Sequence, residues 1–300
     1  MIEHVARPAL FRTLAAATLW SVCVGAAPSP PQRAGATDAA EADAFAAMIA
    51  AERRFAADAA RIGITPAFRA HAAPDGIMLR PAPMPAHTVL AAQRDDPELT
   101  LEWEPAIAAI ARSNDLGVTS GPYRMRRGAR TLYGQFLTVW RRDDDGQWRW
   151  LLDQGLPATA RPALAFPARV ARLRDGAGAA GQASEPDAGL AAADDRLNAA
   201  FQRRGGVAIL PVMASDGYVL RPGQPATIRI RAGKLVDREP AVASSERFGL
   251  RVAAARDLAV TYGRLTRAGG TDPAPYVRIW RSEASGWRLL IDEVVWRPHR

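Results

Sequence analysis

Asp115-Leu116-Gly117-Val118-Thr119-Ser120-Gly121 returns later in the chain as Asp257-Leu258-Ala259-Val260-Thr261-Tyr262-Gly263. Three further matches keep the same order around this pair. Asp75-Gly76-Ile77-Met78-Leu79-Arg80-Pro81 recurs as Asp216-Gly217-Tyr218-Val219-Leu220-Arg221-Pro222. Val139-Trp140-Arg141 recurs as Ile279-Trp280-Arg281, and Gly146-Gln147-Trp148 through Asp153 recurs, one residue shorter, as Gly286-Trp287 through Asp292. The offsets are 141, 142, 140 and 139 residues. Two ordered copies at a near-constant spacing mean a duplicated domain, since a solenoid needs three or more repeats. A chain of 300 residues has room for two such cores.

Each copy reads alike. Ala44 to Ile62 carries Phe45, Met48, Ile49, Glu52, Phe55 and Ala59 at spacings of three and four, a mainly apolar helical stripe. Its counterpart is Ala191 to Arg203. A short helix around Pro66–Ala72 and a strand at Gly76–Arg80 follow. The later part alternates in the manner of strands, with Leu99–Trp103, then Leu132–Arg141, then Asp143-Asp144-Asp145-Gly146 as a hairpin turn into Trp148–Leu152. Helices followed by an antiparallel meander predict an α+β fold in each copy.

The flanks divide the rest. Residues 1–27 read as a signal peptide, with Arg7 and Arg12 before an apolar run from Thr13 to Val24 and a small-residue cleavage pattern that cuts after Ala26. That run is too short to span a bilayer. Cys23, the single cysteine, lies inside it, and Trp20-Ser21-Val22 before it does not match a lipobox, which argues against a lipoprotein. The expected address is periplasmic or secreted. Residues 28–44 read as a flexible lead-in, 45–157 as the first domain, 158–189 as an Ala/Gly/Pro-rich linker and 190–300 as the second domain. Gly176 to Gly181 satisfies G-x-G-x-x-G, but with no strand before it the context for dinucleotide binding fails. The formal charge of +8 is uneven: residues 45–157 hold 14 Arg against 13 acids, and 190–300 hold 18 Lys/Arg against 11. The basic residues are scattered, with no run and no motif, which argues against nucleic acid as a partner.

The runs Asp115–Tyr123, Tyr133-Gly134-Gln135-Phe136-Leu137-Thr138-Val139-Trp140-Arg141, Gly146-Gln147-Trp148 and Asp153-Gln154-Gly155 are similar to the DUF4440 group of SnoaL-like domains, within the NTF2-like superfamily. The resemblance covers nearly all of 45–157 and, more weakly, 190–300. It implies two tandem cone domains, each a curved antiparallel sheet packed on N-terminal helices, with a pocket at the open end of the cone. It implies no one reaction, because the superfamily holds isomerases, cyclases, dehydratases and non-catalytic binding modules. Isomerase-like members set a Tyr and a pair of carboxyls into the pocket. Residues 45–122 contain no Tyr, so that pattern is incomplete here.

Four residues remain as catalytic candidates: Asp115, Asp153, Tyr123 and Tyr133. Asp115 recurs as Asp257, but Ser113-Asn114-Asp115 also reads as a turn in which the side chains cap their own backbone, and that reading is preferred. Asp153 is either a pocket base or a strand-end cap, and Gln154-Gly155 as turn material favours the cap. Trp103, Tyr123, Gln135 and Trp140 are the expected pocket residues. Trp140 and Trp148 recur in the second copy, which suits packing, whereas Trp103 has no counterpart and suits a ligand. His71 and His87 are isolated, so no metal is expected, and no cofactor motif is present. The expected function is binding of a small apolar ligand or a partner without catalysis, the alternative being an isomerase, cyclase or hydrolase acting in the pocket of the first copy. The two copies are expected to pack as an intramolecular pseudo-dimer.

Overall fold

In the computed structural model, which describes residues 34–156, 166–176, 186–270 and 272–296, each repeat lays one mixed sheet against its own helices. In the first unit, α1 (Ala34–Ile62) and α2 (Ile64–His71) precede β1 (Ala72–Leu79), β2 (Pro83–Pro85), α3 (Ala86–Ala92), β3 (Leu99–Trp103), β4 (Ile107–Ile110), β5 (Leu116–Arg127), β6 (Arg130–Arg142), β7 (Trp148–Gly155) and β8 (Ala171–Arg172). The strand order is β2-β1-β7-β6-β5-β4-β8, with β3 also on β5. The second unit runs α4 (Pro186–Arg204), a 3-10 turn at Gly205–Ile209, β9 (Met213–Leu220), β10 (Thr227–Ile228), α5 (Arg229–Val236), β11 (Val242–Val252), β12 (Leu258–Arg267), β13 (Pro273–Glu283) and β14 (Gly286–Val294). Its order, β10-β9-β14-β13-β12-β11, repeats that of the first. In both sheets the first long strand joins the last in parallel, β1 with β7 and β9 with β14; the other pairs are antiparallel apart from β4 with β8.

Two expectations about the flanks change. The lead-in is helical from Ala34, because its alanines favour continuing the helix. The supposed linker contributes β8, which pairs in parallel with β4, and Leu173 is buried in the core. The period-two run through Ala171 and Leu173 carries enough apolar character to join a sheet edge. The expected signal peptide lies outside the described residues. No helix among the described residues is long and apolar enough to cross a membrane.

Strand parity separates two cores in each unit. On β6, Phe136 and Trp140 face the helices and pack with Met48, Phe55 and Trp103. Leu137 and Val139 face the other way, into a core shared with Val260, Val277 and Ile279 of the second sheet. The sheets therefore bury apolar faces against each other. Reciprocal turns close one end of this contact. Asp115 Oδ2 accepts from the Ala254 amide at 3.0 Å, and Asp257 Oδ2 accepts from the Arg112 amide at 3.0 Å.

Candidate functional site

The helix α1 sets Met48, Glu52, Phe55 and Ala59 on its sheet-facing side, all buried. Glu52 is thus a carboxyl in an apolar stripe, and it is fully covered. It accepts from Trp103 Nε1 at 2.6 Å, from Trp140 Nε1 at 2.9 Å and from the Thr119 hydroxyl. Burial raises its pKa, and these donors work against the rise.

Beside this network lies a cavity of about 360 Å³. Phe68, Met78, Leu101, Trp103, Met125 and Phe136 form its apolar walls, and Arg80, Tyr123, Asp153, Gln154 and Gly155 complete it. Asp153 is half-buried on β7, with its Oδ2 accepting from the Thr138 hydroxyl at 2.8 Å. Burial is the largest cause that pushes its pKa up, to about 7, and Glu52 adds to it, while the Thr138 bond and Arg80 oppose it. A carboxyl poised there can hold or release a proton near neutrality.

Tyr123 lies across β6. A Cβ at Gly134 would come within 2.4 Å of its ring, so only glycine admits it there. The Tyr123 hydroxyl donates to the Leu156 carbonyl at 2.6 Å, and burial, with Glu293 nearby, pushes its pKa up to about 12. The phenol therefore remains protonated and committed to the backbone.

The cavity thus brings together Trp103, Tyr123 and Asp153. Asp153 does not cap a strand end, because β7 continues and pairs Gln154 with Leu137 and Gly155 with Phe136. Trp140 lies on the same face but below the cavity, fully buried against Glu52 and Thr119. Gln135, expected in the pocket, has the opposite parity to Phe136 and points to the far face of β6. Tyr133 shares that parity and does not line the cavity. Asp115 sits in the turn between the units, bonded to Ser113 and Ala254, with Asn114 at φ 56°. The sequence reading missed Glu52, Arg80, Phe136 and Thr138 as site residues. Glu52 had a signal, a carboxyl on an apolar helical stripe, and Arg80 stood in a repeated motif.

The second unit repeats the frame and fills it. Arg278 occupies the register position of Thr138. It is fully buried, with Nη1 at 2.7 Å from Asp194 Oδ1 and Nε at 3.0 Å from Asp292 Oδ1. Arg221, which corresponds to Arg80, bonds Asp292 at 2.6 Å and Glu239 at 2.7 Å. Arg221 and Arg278 are thus matched by the buried carboxyls of Asp194, Asp292 and Glu239, so the second unit's excess basic charge lies outside this network. Arg231, Lys234 and Arg238 are exposed and line an open cleft of about 800 Å³ beside Trp296. No group of His, Cys, Asp and Glu among the described residues is placed to hold a metal.

No protein-family model matches the chain, and no curated protein does. Solved structures align with single units. A DUF3225 family protein of unknown function from Pectobacterium atrosepticum is 18% identical over 39% of this chain and 94% of its own, with a TM-score of 0.33. A ketosteroid isomerase-like protein from Erwinia carotovora atroseptica is 21% identical over 38% of this chain and 100% of its own, with a TM-score of 0.31. An NTF2-like protein from Cytophaga hutchinsonii is 12% identical over 35% and 93%, with a TM-score of 0.30.

Proposed function

We propose that this is an exported binding protein whose first unit takes a small, largely apolar ligand and whose second unit serves as its packed partner in an intramolecular pseudo-dimer. One observation carries the ligand site. At the same place in the same fold, the first unit has an aromatic-walled cavity and the second has a buried, ion-paired arginine. Apolar walls with one or two directed polar groups are what a small-molecule site needs. The test is saturation-transfer NMR with 2-naphthol on the full chain and on Gly155→Leu. A Cβ at Gly155 meets only the Tyr123 ring, at 3.8 Å, so the larger side chain enters the cavity without a backbone clash. Transfer that is present in the native protein and lost in Gly155→Leu supports the reading; transfer equal in both places the binding elsewhere.

The position of Asp153 favours a second reading, proton transfer within the same cavity, in an isomerase, cyclase or hydrolase. Its pKa of about 7 suits a general base, and Tyr123 is turned away from it toward Leu156. Turnover of any enolisable ketone with a rate that rises through pH 7 and vanishes in Asp153→Asn would select this reading over simple binding.

A further inference from the structure

The duplicated chain carries its own comparison. In both units a strand pair presents a residue directly opposite an inward carboxyl: Thr138 opposite Asp153, and Arg278 opposite Asp292. In the second unit the guanidinium of Arg278 lies between Asp194 and Asp292, and its Cζ is 4.1 Å from the Tyr276 ring centroid and 5.2 Å from that of Phe201. The first unit keeps the acids, as Glu52 and Asp153, and an aromatic ring, Phe136, at the Tyr276 position. It puts the short Thr138 where the arginine would be, and the cavity is lined by the Asp153 and Phe136 that flank this position.

We propose that the first unit's cavity recognises a cation, an amidinium, guanidinium or ammonium group on an apolar body, seated where the second unit places the Arg278 guanidinium. The proposal rests on the reading of this cavity as a small-ligand site and names the ligand's charge. Asp153 is the recognising group. Its Oδ2 takes the Thr138 hydroxyl, and among the described residues no hydrogen bond reaches Oδ1. Glu52 is already committed to two indoles and a hydroxyl. Trp103 and Phe136, with centroids 6.5 Å apart and planes at 67°, supply two aromatic walls, and a cation held between rings and a carboxylate is stabilised by both. Arg80 on the lining does not forbid this. Its counterpart Arg221 sits beside Arg278, both bonded to the two oxygens of Asp292.

The charge state of Asp153 couples such binding to pH. The groups that face it are Glu52 from α1, Arg80 after β1, and Glu293 from β14, with Tyr123 of β5 on the same cavity. A bound cation favours the carboxylate, so binding below pH 7 releases a proton.

The experiment is calorimetric titration of the full chain with benzamidine, benzamide and benzoate from pH 5.5 to 8, in two buffers of different ionisation enthalpy. Benzamidine is expected to bind on the order of tenfold to a hundredfold more tightly than either analogue at pH 8, to weaken as the pH falls, and to release a proton at pH 6. Thr138→Arg, which copies the second unit, should abolish this binding, and Gly155→Leu supplies the same reading where the arginine variant does not fold. Benzamide or benzoate binding as tightly as benzamidine overturns the charge assignment and leaves the cavity a ligand site. No binding of the three overturns it too, and the 2-naphthol result then decides whether the cavity binds anything. Benzamidine binding that survives both variants places the cation elsewhere and also refutes the proposal.

Discussion

Replacing Asp153 by Asn should make the protein more stable at pH 8 and leave it nearly unchanged at pH 4. The folded protein raises the Asp153 pKa from 3.8 to about 7. Folding thus favours the protonated acid, and the stability that this contributes at low pH is lost as pH rises from the unfolded value through the folded one. A shift of roughly three units at ~1.4 kcal/mol each sets a ceiling of about 4 kcal/mol above pH 8. Asp153 is open to the cavity on one side, and solvent there screens the charge, so about 2 kcal/mol is the working expectation. Asn keeps the oxygen that accepts from Thr138 and never ionises. Glu52 and Glu293 titrate in both proteins and cancel to first order in the difference. Urea denaturation of both proteins at pH 4, 6 and 8 measures the effect. The advantage of Asn should emerge between pH 4 and pH 7 and then level off. A gap that does not change with pH, or a native protein that is the more stable at pH 8, refutes the claim that Asp153 is held protonated.

Glu293 is fully buried, with both carboxyl oxygens unpartnered, and burial holds its pKa well above the usual carboxylate range. Glu293→Gln should therefore match the native protein below pH 4.5 and exceed its stability at pH 8 in the same assay. Arg278→Met removes the one cation that bridges the buried Asp194 and Asp292, leaving Asp292 to Arg221 and Asp194 to Thr261, Tyr276 and Arg247, and should destabilise by about 3 kcal/mol, the lower end for removal of one partner of a buried ion pair. Glu52→Ala leaves the Trp103 indole and the Thr119 hydroxyl without their acceptor in the core, Trp140 keeping Thr119 Oγ1, and should cost about 3 kcal/mol by denaturant titration, with Glu52→Gln milder. A protease site inserted after Gly181 should yield two halves that co-elute in gel filtration after cutting, because the sheets share one apolar core; separate elution of soluble halves rejects the pseudo-dimer.

The duplication and the α+β layout were legible because they depend on local order. The repeated motifs mark the two copies, Ser113-Asn114-Asp115 marks a turn, the stripe from Phe45 to Ala59 marks a helix, and alternation marks strands. The site was legible only in part. Trp103 was found because it lacks a counterpart, and Tyr123 because it is one of few tyrosines. Gln135 lies outside the cavity because β6 alternates without interruption from Gln135 to Trp140, the extra residue of the bulge being Leu151 on β7, so Gln135 faces away from Phe136 and Trp140. Asp153 was read as a cap because Gln154-Gly155 resembles turn material, yet neighbouring β6 is long enough to pair with both.

By itself the sequence determined that four motifs recur in the same order, that helices precede strands, and that Thr138 stands before one Trp-Arg motif where Arg278 stands before the other. Those follow from patterns a few residues long. Only the tertiary structure decided what that difference means. Strand register puts Arg278 opposite Asp292 and within reach of Asp194 on a distant helix, and puts Thr138 opposite Asp153, whose carboxyl it bonds and which also lines a cavity. Whether a carboxyl meets a cation, a hydroxyl or open space depends on residues far apart in the chain. That meeting fixes its charge, and with it whether the two acids serve structure or face a ligand.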